Sequence, residues 1–190
     1  MLRSIVMQQH EVEHELTREL GNGERLLWSG QPKQGIMLRH ADAFLIPFSI
    51  LWCGFAIFWE TSVITSGAPF FFILWGIPFV IVGLYIVVGR FVVDAAERKR
   101  TVYGLTNERV IIVGGLFKRV VKSVNLRTLS DVSLTERGDG TGTITLGVSS
   151  GYGWFGSNWP GSRQTLPPAL EQINNARSVY EQLRQAQKTA

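Results

Sequence analysis

Two long apolar segments joined by a short polar connection constrain this chain more than any other feature. Residues Ala43 to Trp59 (AFLIPFSILWCGFAIFW) carry no charge, and as a helix they reach about 25 Å. Residues Phe70 to Gly89 (FFFILWGIPFVIVGLYIVVG) are also uncharged and reach about 30 Å, the hydrocarbon thickness of a bilayer. A buried pair of core helices in a soluble protein would need a shell of other apolar elements. The remaining sequence is too polar to supply one, so the segments read as an integral membrane α-helical hairpin. The lone Cys53 lies in the first span, so no intrachain disulfide forms.

Flanking charge sets the expected orientation. Arg25, Lys33 and Arg39 precede the first span and Arg90, Arg98, Lys99 and Arg100 follow the second, whereas Glu60 to Pro69 holds no Lys or Arg. Cationic flanks stay on the cytoplasmic side. The expectation is a multi-pass protein of the cytoplasmic (inner) membrane with both termini cytoplasmic. Trp59 and Glu60 then fall at the membrane boundary, and Pro78 beside Gly76 bends the second span. Gly54 with Ala56, and Gly76 with Gly83, offer close helix approach. With Tyr85 and Cys53 the sole ionisable groups inside these spans, the hairpin makes a poor transport pathway.

The 190 residues divide into an N-terminal segment, 1–42, the two-span hairpin, 43–93, and a small cytoplasmic domain, 101–187. The net charge of +4 and a pI near 9.5 suit a polyanion, and for a membrane protein that is the anionic lipid surface rather than nucleic acid. Glu11, Glu13, Glu15, Arg18 and Glu19 occupy the place of a signal-peptide core, so the first span is expected to act as the insertion signal.

Leu2, Ile5, Val12, Leu16 and Leu20 recur at helical spacing up to Gly21. Within this helix His10-Glu11-Val12-Glu13-His14 matches H-E-x-x-H, where two histidines one turn apart bind zinc and the glutamate is the general base. A zinc metallopeptidase also needs a third ligand and a body around the motif. Only nine residues precede the motif, His40 abuts the first span, and Glu19 is five residues past His14. A solvated Glu/His face is the favoured reading, with no catalytic residue, metal or other cofactor expected.

Gly23 to Pro32 (GERLLWSGQP) reads as a short strand between turn residues. After the charged exit Ala95 to Arg100 the period changes to that of strands: Thr101 to Thr106, Arg109 to Val113, Phe117 to Leu126, Val132 to Arg137 and Thr143 to Val148. Such a series implies an antiparallel meander closing into a barrel or sandwich. Gly138, Gly140 and Gly142 open a strand rather than a helix, so they form a turn and not a phosphate loop. Gly151 to Gly161 (GYGWFGSNWPG) is an aromatic loop, with a further strand at Arg163 to Leu166. Pro167-Pro168 are expected to start a helix running to about Ala186, with Leu170, Ile173, Ala176, Tyr180 and Leu183 on one face.

The string Tyr103 to Ile112 (YGLTNERVII), then Gly114-Gly115, Leu126 and the Gly142-Thr143-Ile144 strand start, resembles the bacterial pleckstrin-homology (PH) domain family. Gly23 to Pro32 ahead of paired spans is similar to the membrane-bound members with a two-helix hairpin. The resemblance implies a small all-β PH-like barrel of seven strands capped by a C-terminal α-helix, on the cytoplasmic side of the hairpin, with no enzyme activity. Tyr103, Leu105, Val110 and Ile112 read as core or hairpin residues, Asn107 as a turn former and Arg109 as a turn brace or surface charge. Eukaryotic inositol-lipid binders carry a K-x-n-K/R-x-R pattern around the first hairpin turn. Here that turn, Thr106-Asn107-Glu108, is short and acidic, so that specificity does not transfer.

The expected function is a membrane-anchored interaction or scaffold module presenting its barrel to a protein, peptide or lipid-headgroup partner, with homo-oligomerisation left open. The alternatives are the zinc metallopeptidase and a small transporter or channel subunit. Arg98, Lys99, Arg100, Lys118, Arg119 and Lys122 form a candidate face toward anionic lipid, worth about 1 kcal/mol for each cation held near the surface. Trp154, Phe155 and Trp159, beside Tyr152, are candidates to seat in the headgroup zone or grip a partner.

Overall fold

The structure, a computed structural model, describes residues 7–35, 37–38, 42–147 and 167–190. Described residues 7–35, 95–147 and 167–190 form one compact unit, and 37–38 with 42–94 a second.

The first unit begins with helix α1 (Gln9–Thr17) and strand β1 (Leu26–Gly30). After the second unit's insertion come β2 (Val102–Thr106), β3 (Arg109–Gly114), β4 (Val120–Asn125), β5 (Val132–Glu136), β6 (Gly142–Leu146) and β7 (Ala169–Ile173). Among the described residues these seven strands are hydrogen-bonded as two antiparallel sheets, β1-β2-β3-β4 and β5-β6-β7, rather than as one closed barrel. The first sheet therefore begins before the hairpin, with Ser29 opposite Gly104 and Gly30 opposite Tyr103. The Gly138 to Gly142 segment is a hairpin turn as its glycines suggest, with Gly140 at φ +77°.

Alternation along β2 and β3 feeds two cores. Tyr103, Leu105 and Val110 point inward to Leu126, Ile144, Leu146, Leu170 and Ile173. Val102, Ile111 and Val113 point outward to Val12 and Leu16 of α1. The sheet is thus covered on both faces, which explains why β2 reads as a continuous apolar run. Gly104 makes the close approach possible, since a Cβ there would lie 2.9 Å from the Leu16 side chain.

The C-terminal helix α5 (Ala176–Thr189) packs Ala176, Val179, Leu183 and Ala186 into the main core. It starts later than expected. Leu170 and Ile173 belong to β7, whose pairing with β6 slips in register between Gly142 and Ile144, with Gln172 at φ +50°. That irregularity buries two residues three apart in one core, a spacing that imitates a helix face. Asn175, at φ +51°, then turns the chain into α5.

The second unit is a helical hairpin. Helix α2 runs from Asp42 to Thr65, beyond the boundary expected at Trp59. Helix α3 (Phe70–Leu84) continues through a π-helical turn (Tyr85–Gly89) into α4 (Arg90–Lys99). Both rods are long and apolar enough to cross a membrane, and only 17% and 11% of their most apolar windows are buried. Phe44, Leu51, Phe58 and Phe70 are each at least 70% exposed. A core pair in a soluble protein would be covered.

The seam between the helices is built from small residues. Asp42, Ser49, Cys53 and Ala56 of α2 are buried, as are Gly76 and Gly83 of α3 and Arg90 of α4. Their spacings of seven, four and three keep one stripe turned toward the partner helix. A Cβ on Gly83 would come within 3.1 Å of the Cys53 Cα. Gly54, expected in this contact, instead faces open space. At the hairpin's open end Arg90 Nη1 pairs with Asp42 Oδ1 at 2.9 Å, with both side chains more than nine-tenths buried.

Gly83→Leu is therefore expected to weaken the hairpin by about 1–3 kcal/mol, the usual range for overpacking, while Gly54→Leu leaves it intact. Unfolding in mixed micelles titrated with a denaturing detergent measures both.

Candidate functional site

The Y-G-L-T-N-x-R string and the upstream Gly-Glu-Arg segment fold into one brace. Glu24 is buried, and its Oε1 accepts from Arg109 Nε at 2.8 Å and Thr106 Oγ1 at 2.7 Å. Its Oε2 accepts from Arg109 Nη2 at 2.9 Å and the Gly21 N–H at 2.7 Å. Arg109 also donates to the Glu19 carbonyl and to Ser123 Oγ. Asn107 Oδ1 accepts from the Arg25 N–H at 2.7 Å, and the Glu171 N–H donates to the Tyr103 hydroxyl at 3.2 Å. The string's polar side chains thus bond within the unit and tie β1, β2 and β3 together, and Arg109 is the turn brace that the sequence allowed.

The Arg109 guanidinium is the main cause that holds the Glu24 carboxyl down at about 2, with the Gly21 and Thr106 donors adding to it. Glu24 raises Arg109 in turn.

The exposed feature with the clearest surface chemistry is the turn between β3 and β4. In the antiparallel order β1-β2-β3-β4, this turn lies at the end of the sheet where β1 finishes and β2 begins, since Gly30 faces Tyr103, Val102 faces Val113 and Gly114 faces Val120. Phe117 at its tip is 94% exposed. Lys118 is exposed, and Arg100 Nη1 donates to the Leu116 carbonyl at 2.7 Å. Arg100, Phe117, Lys118 and Arg119 line one groove of about 310 Å³ with Met7 and Glu15. Gly115, at φ +113°, makes the turn, and its hydrogen occupies space that a Cβ could not share with the Lys118 carbonyl.

The six candidate cations are divided by this geometry. Arg100, Lys118 and Arg119 gather at the turn, and Lys99 is exposed at the end of α4. Arg119 is bound by Glu19 at 2.7 Å and Glu15 at 3.1 Å, and these carboxylates raise its pKa. Lys122 points to the opposite face of the sheet, into a cleft of about 80 Å³ with Tyr103, Ile112 and Glu171, where burial lowers its pKa. Arg98 is 2% exposed and donates to the Gly35 carbonyl. Trp154, Phe155 and Trp159, the whole 151–161 loop and the expected strand at 163–166 lie outside the described residues. Phe117 went unnoticed in the sequence, where it reads as the first residue of a strand; its neighbours Gly114-Gly115 were the available signal of a turn.

On α1, His10 and His14 are exposed, and Glu11 accepts the Gln8 N–H at 2.9 Å as an N-terminal cap. Val12, between them, anchors the helix to the sheet. Among the described residues no three His, Cys, Asp or Glu side chains gather at metal-binding distance.

Because the folded Glu24 carboxyl titrates below its ordinary 4.5, the stabilisation it supplies is complete above that pH and is lost as pH falls from about 4.5 toward 2. Allowing for solvent access to Arg109, the loss is about 2 kcal/mol. Glu24→Gln, which leaves the half-buried Arg109 guanidinium without its carboxylate, is expected to cost about 2 kcal/mol at pH 7 and to flatten this acid limb. Thermal unfolding of both proteins from pH 7 to pH 2, followed by circular dichroism, measures the difference.

Comparison with curated proteins and with solved structures gives no match. Comparison with protein families matches residues 45–187 to the bacterial PH domain. That match spans well over half of the chain and includes the β3–β4 turn and, of the brace, Thr106, Asn107 and Arg109, while Glu24 and β1 precede it; β2 to β7 with the C-terminal helix agree with it. The chain belongs to the bacterial PH domain family.

Proposed function

We propose that the protein is a membrane-anchored, non-catalytic interaction module whose PH-like unit lies at the cytoplasmic face with its β3–β4 turn against anionic lipid. The carrying observation is the turn itself. Phe117, 94% exposed at the tip, is flanked by Lys118, Arg119 and Arg100 at the sheet end from which the chain leaves β1 and re-enters β2. An aromatic ring ringed by cations suits the headgroup zone, where the ring finds an apolar body and the cations find phosphates.

Supporting the anchor are the uncovered apolar flanks of α2 and α3 and the cation-free connection at 60–69. The hairpin provides attachment. The turn's part is orientation, with each exposed cation adding about 1 kcal/mol. Arg119, already paired with Glu15 and Glu19, contributes less than Lys118 and Arg100. A module held this way presents its remaining surfaces, including the Lys122 cleft, to a protein or peptide partner.

The test is a spin label at Phe117→Cys in a Cys53→Ala background, with the full chain in vesicles of phosphatidylglycerol and phosphatidylcholine. The label is expected to be shielded from an aqueous nickel relaxant and accessible to oxygen, and Arg100→Gln with Lys118→Gln is expected to reverse this. A label equally open to nickel with and without anionic lipid contradicts the proposal.

A further inference from the structure

Sequence places Glu60 at the membrane boundary, but the structure carries α2 past it to Thr65 and turns its carboxylate into the helix seam. Glu60 and the Trp59 ring both lie across Gly76, where a Cβ would sit 2.6 Å from Trp59 Cζ3 and would collide with Glu60 Oε2. Gly76 is six residues into α3, so if Phe70 marks the edge of the hydrocarbon, Glu60 is held about 9 Å inside it. Its Oε2 is buried with no hydrogen-bond partner among the described residues. Trp52, Phe55, Ala56, Trp59, Trp75 and Phe79 line an apolar crevice of about 230 Å³; Glu60 is outside that lining and meets it at Trp59, the two side chains sharing the space over Gly76. The Trp52 and Trp75 rings are braced by ladders one turn apart, Phe48–Trp52 and Phe71–Trp75–Phe79, with centroids 6.2 to 6.4 Å apart.

We propose that this crevice, with the Glu60 carboxylate behind it as counter-charge, is a binding site for a small organic cation of the quaternary-ammonium type. An unpartnered carboxylate oxygen in an apolar seam is costly, and ionisable groups at such depth are retained for a ligand or an ion. Indole and phenyl faces attract a cation without hydrogen-bonding to it. The lining side chains supply no oxygen to complete the coordination shell of a metal ion, whereas an alkylammonium needs aromatic faces and one counter-charge. The crevice and the carboxylate stand on geometry alone; the depth argument rests on the membrane reading above.

The test uses the full chain in detergent micelles, so its outcome is independent of topology and of the β3–β4 turn. Radiolabelled benzyltrimethylammonium is the probe, and its uncharged isostere neopentylbenzene is the competitor. Saturable binding is expected, at least tenfold weaker for Glu60→Gln and for Trp75→Leu, with no displacement by the isostere. Trp75→Leu and the isostere decide the matter even if Glu60→Gln fails to fold. Absence of saturable binding, equal binding by the variants, or displacement by neopentylbenzene overturns the proposal.

Discussion

The bidentate contact between Glu24 and Arg109 is the interaction on which the β-rich unit depends. Strand β1 is separated from β2 by the entire hairpin, so its pairing must offset the entropy of closing a long excursion, a cost that grows only slowly with length. Glu24, just before β1, reaches both Thr106 and Arg109 in the β2–β3 hairpin and so fixes β1 in place. The hairpin repeats the device within itself, with Asp42 before the excursion and Arg90 after it forming a buried pair. Buried ion pairs are poor sources of net stability, because desolvation offsets most of their attraction. Each of these two pairs also specifies which distant segments meet.

This arrangement changes what the string that carries the family resemblance means. Tyr103, Gly104, Leu105, Thr106, Asn107 and Arg109 are each used internally, as core, as space for Leu16, or as donors and acceptors across the sheet. Residues used in this way are evidence of fold and say little about ligands. The two proposed recognition sites lie on residues outside the string, at the Phe117 turn on one unit and at Glu60 with its aromatic neighbours on the other.

Much of this was legible in the sequence. Uninterrupted apolar runs gave the two long helices, and β-branched residues between Gly and Asn turns gave β2 to β6 close to their observed limits. What escaped were features that depend on a partner distant in the chain. The register slip opposite β7 turned a strand into an apparent helix face. The acid that Arg109 would meet could not be chosen among several glutamates until α1 and β1 were placed. Polarity rises after Trp59 and hides the true end of α2, since Thr61, Ser62 and Thr65 bond back to carbonyls four residues earlier and the helix continues to Thr65. The six-cation face was read from proximity in sequence, whereas Arg98 turns inward and Lys122 lies across the sheet from Arg119.

The account's central claim is that a membrane hairpin interrupts a cytoplasmic PH-like fold between its first two strands. Thiol accessibility in intact cells tests it most directly, using single cysteines at Ser66, between α2 and α3, and at Ala190, in a Cys53→Ala background. An impermeant maleimide should label position 66 in intact cells and position 190 only after the membrane is opened. Labelling of position 190 in intact cells, or of neither position until lysis, would contradict the account.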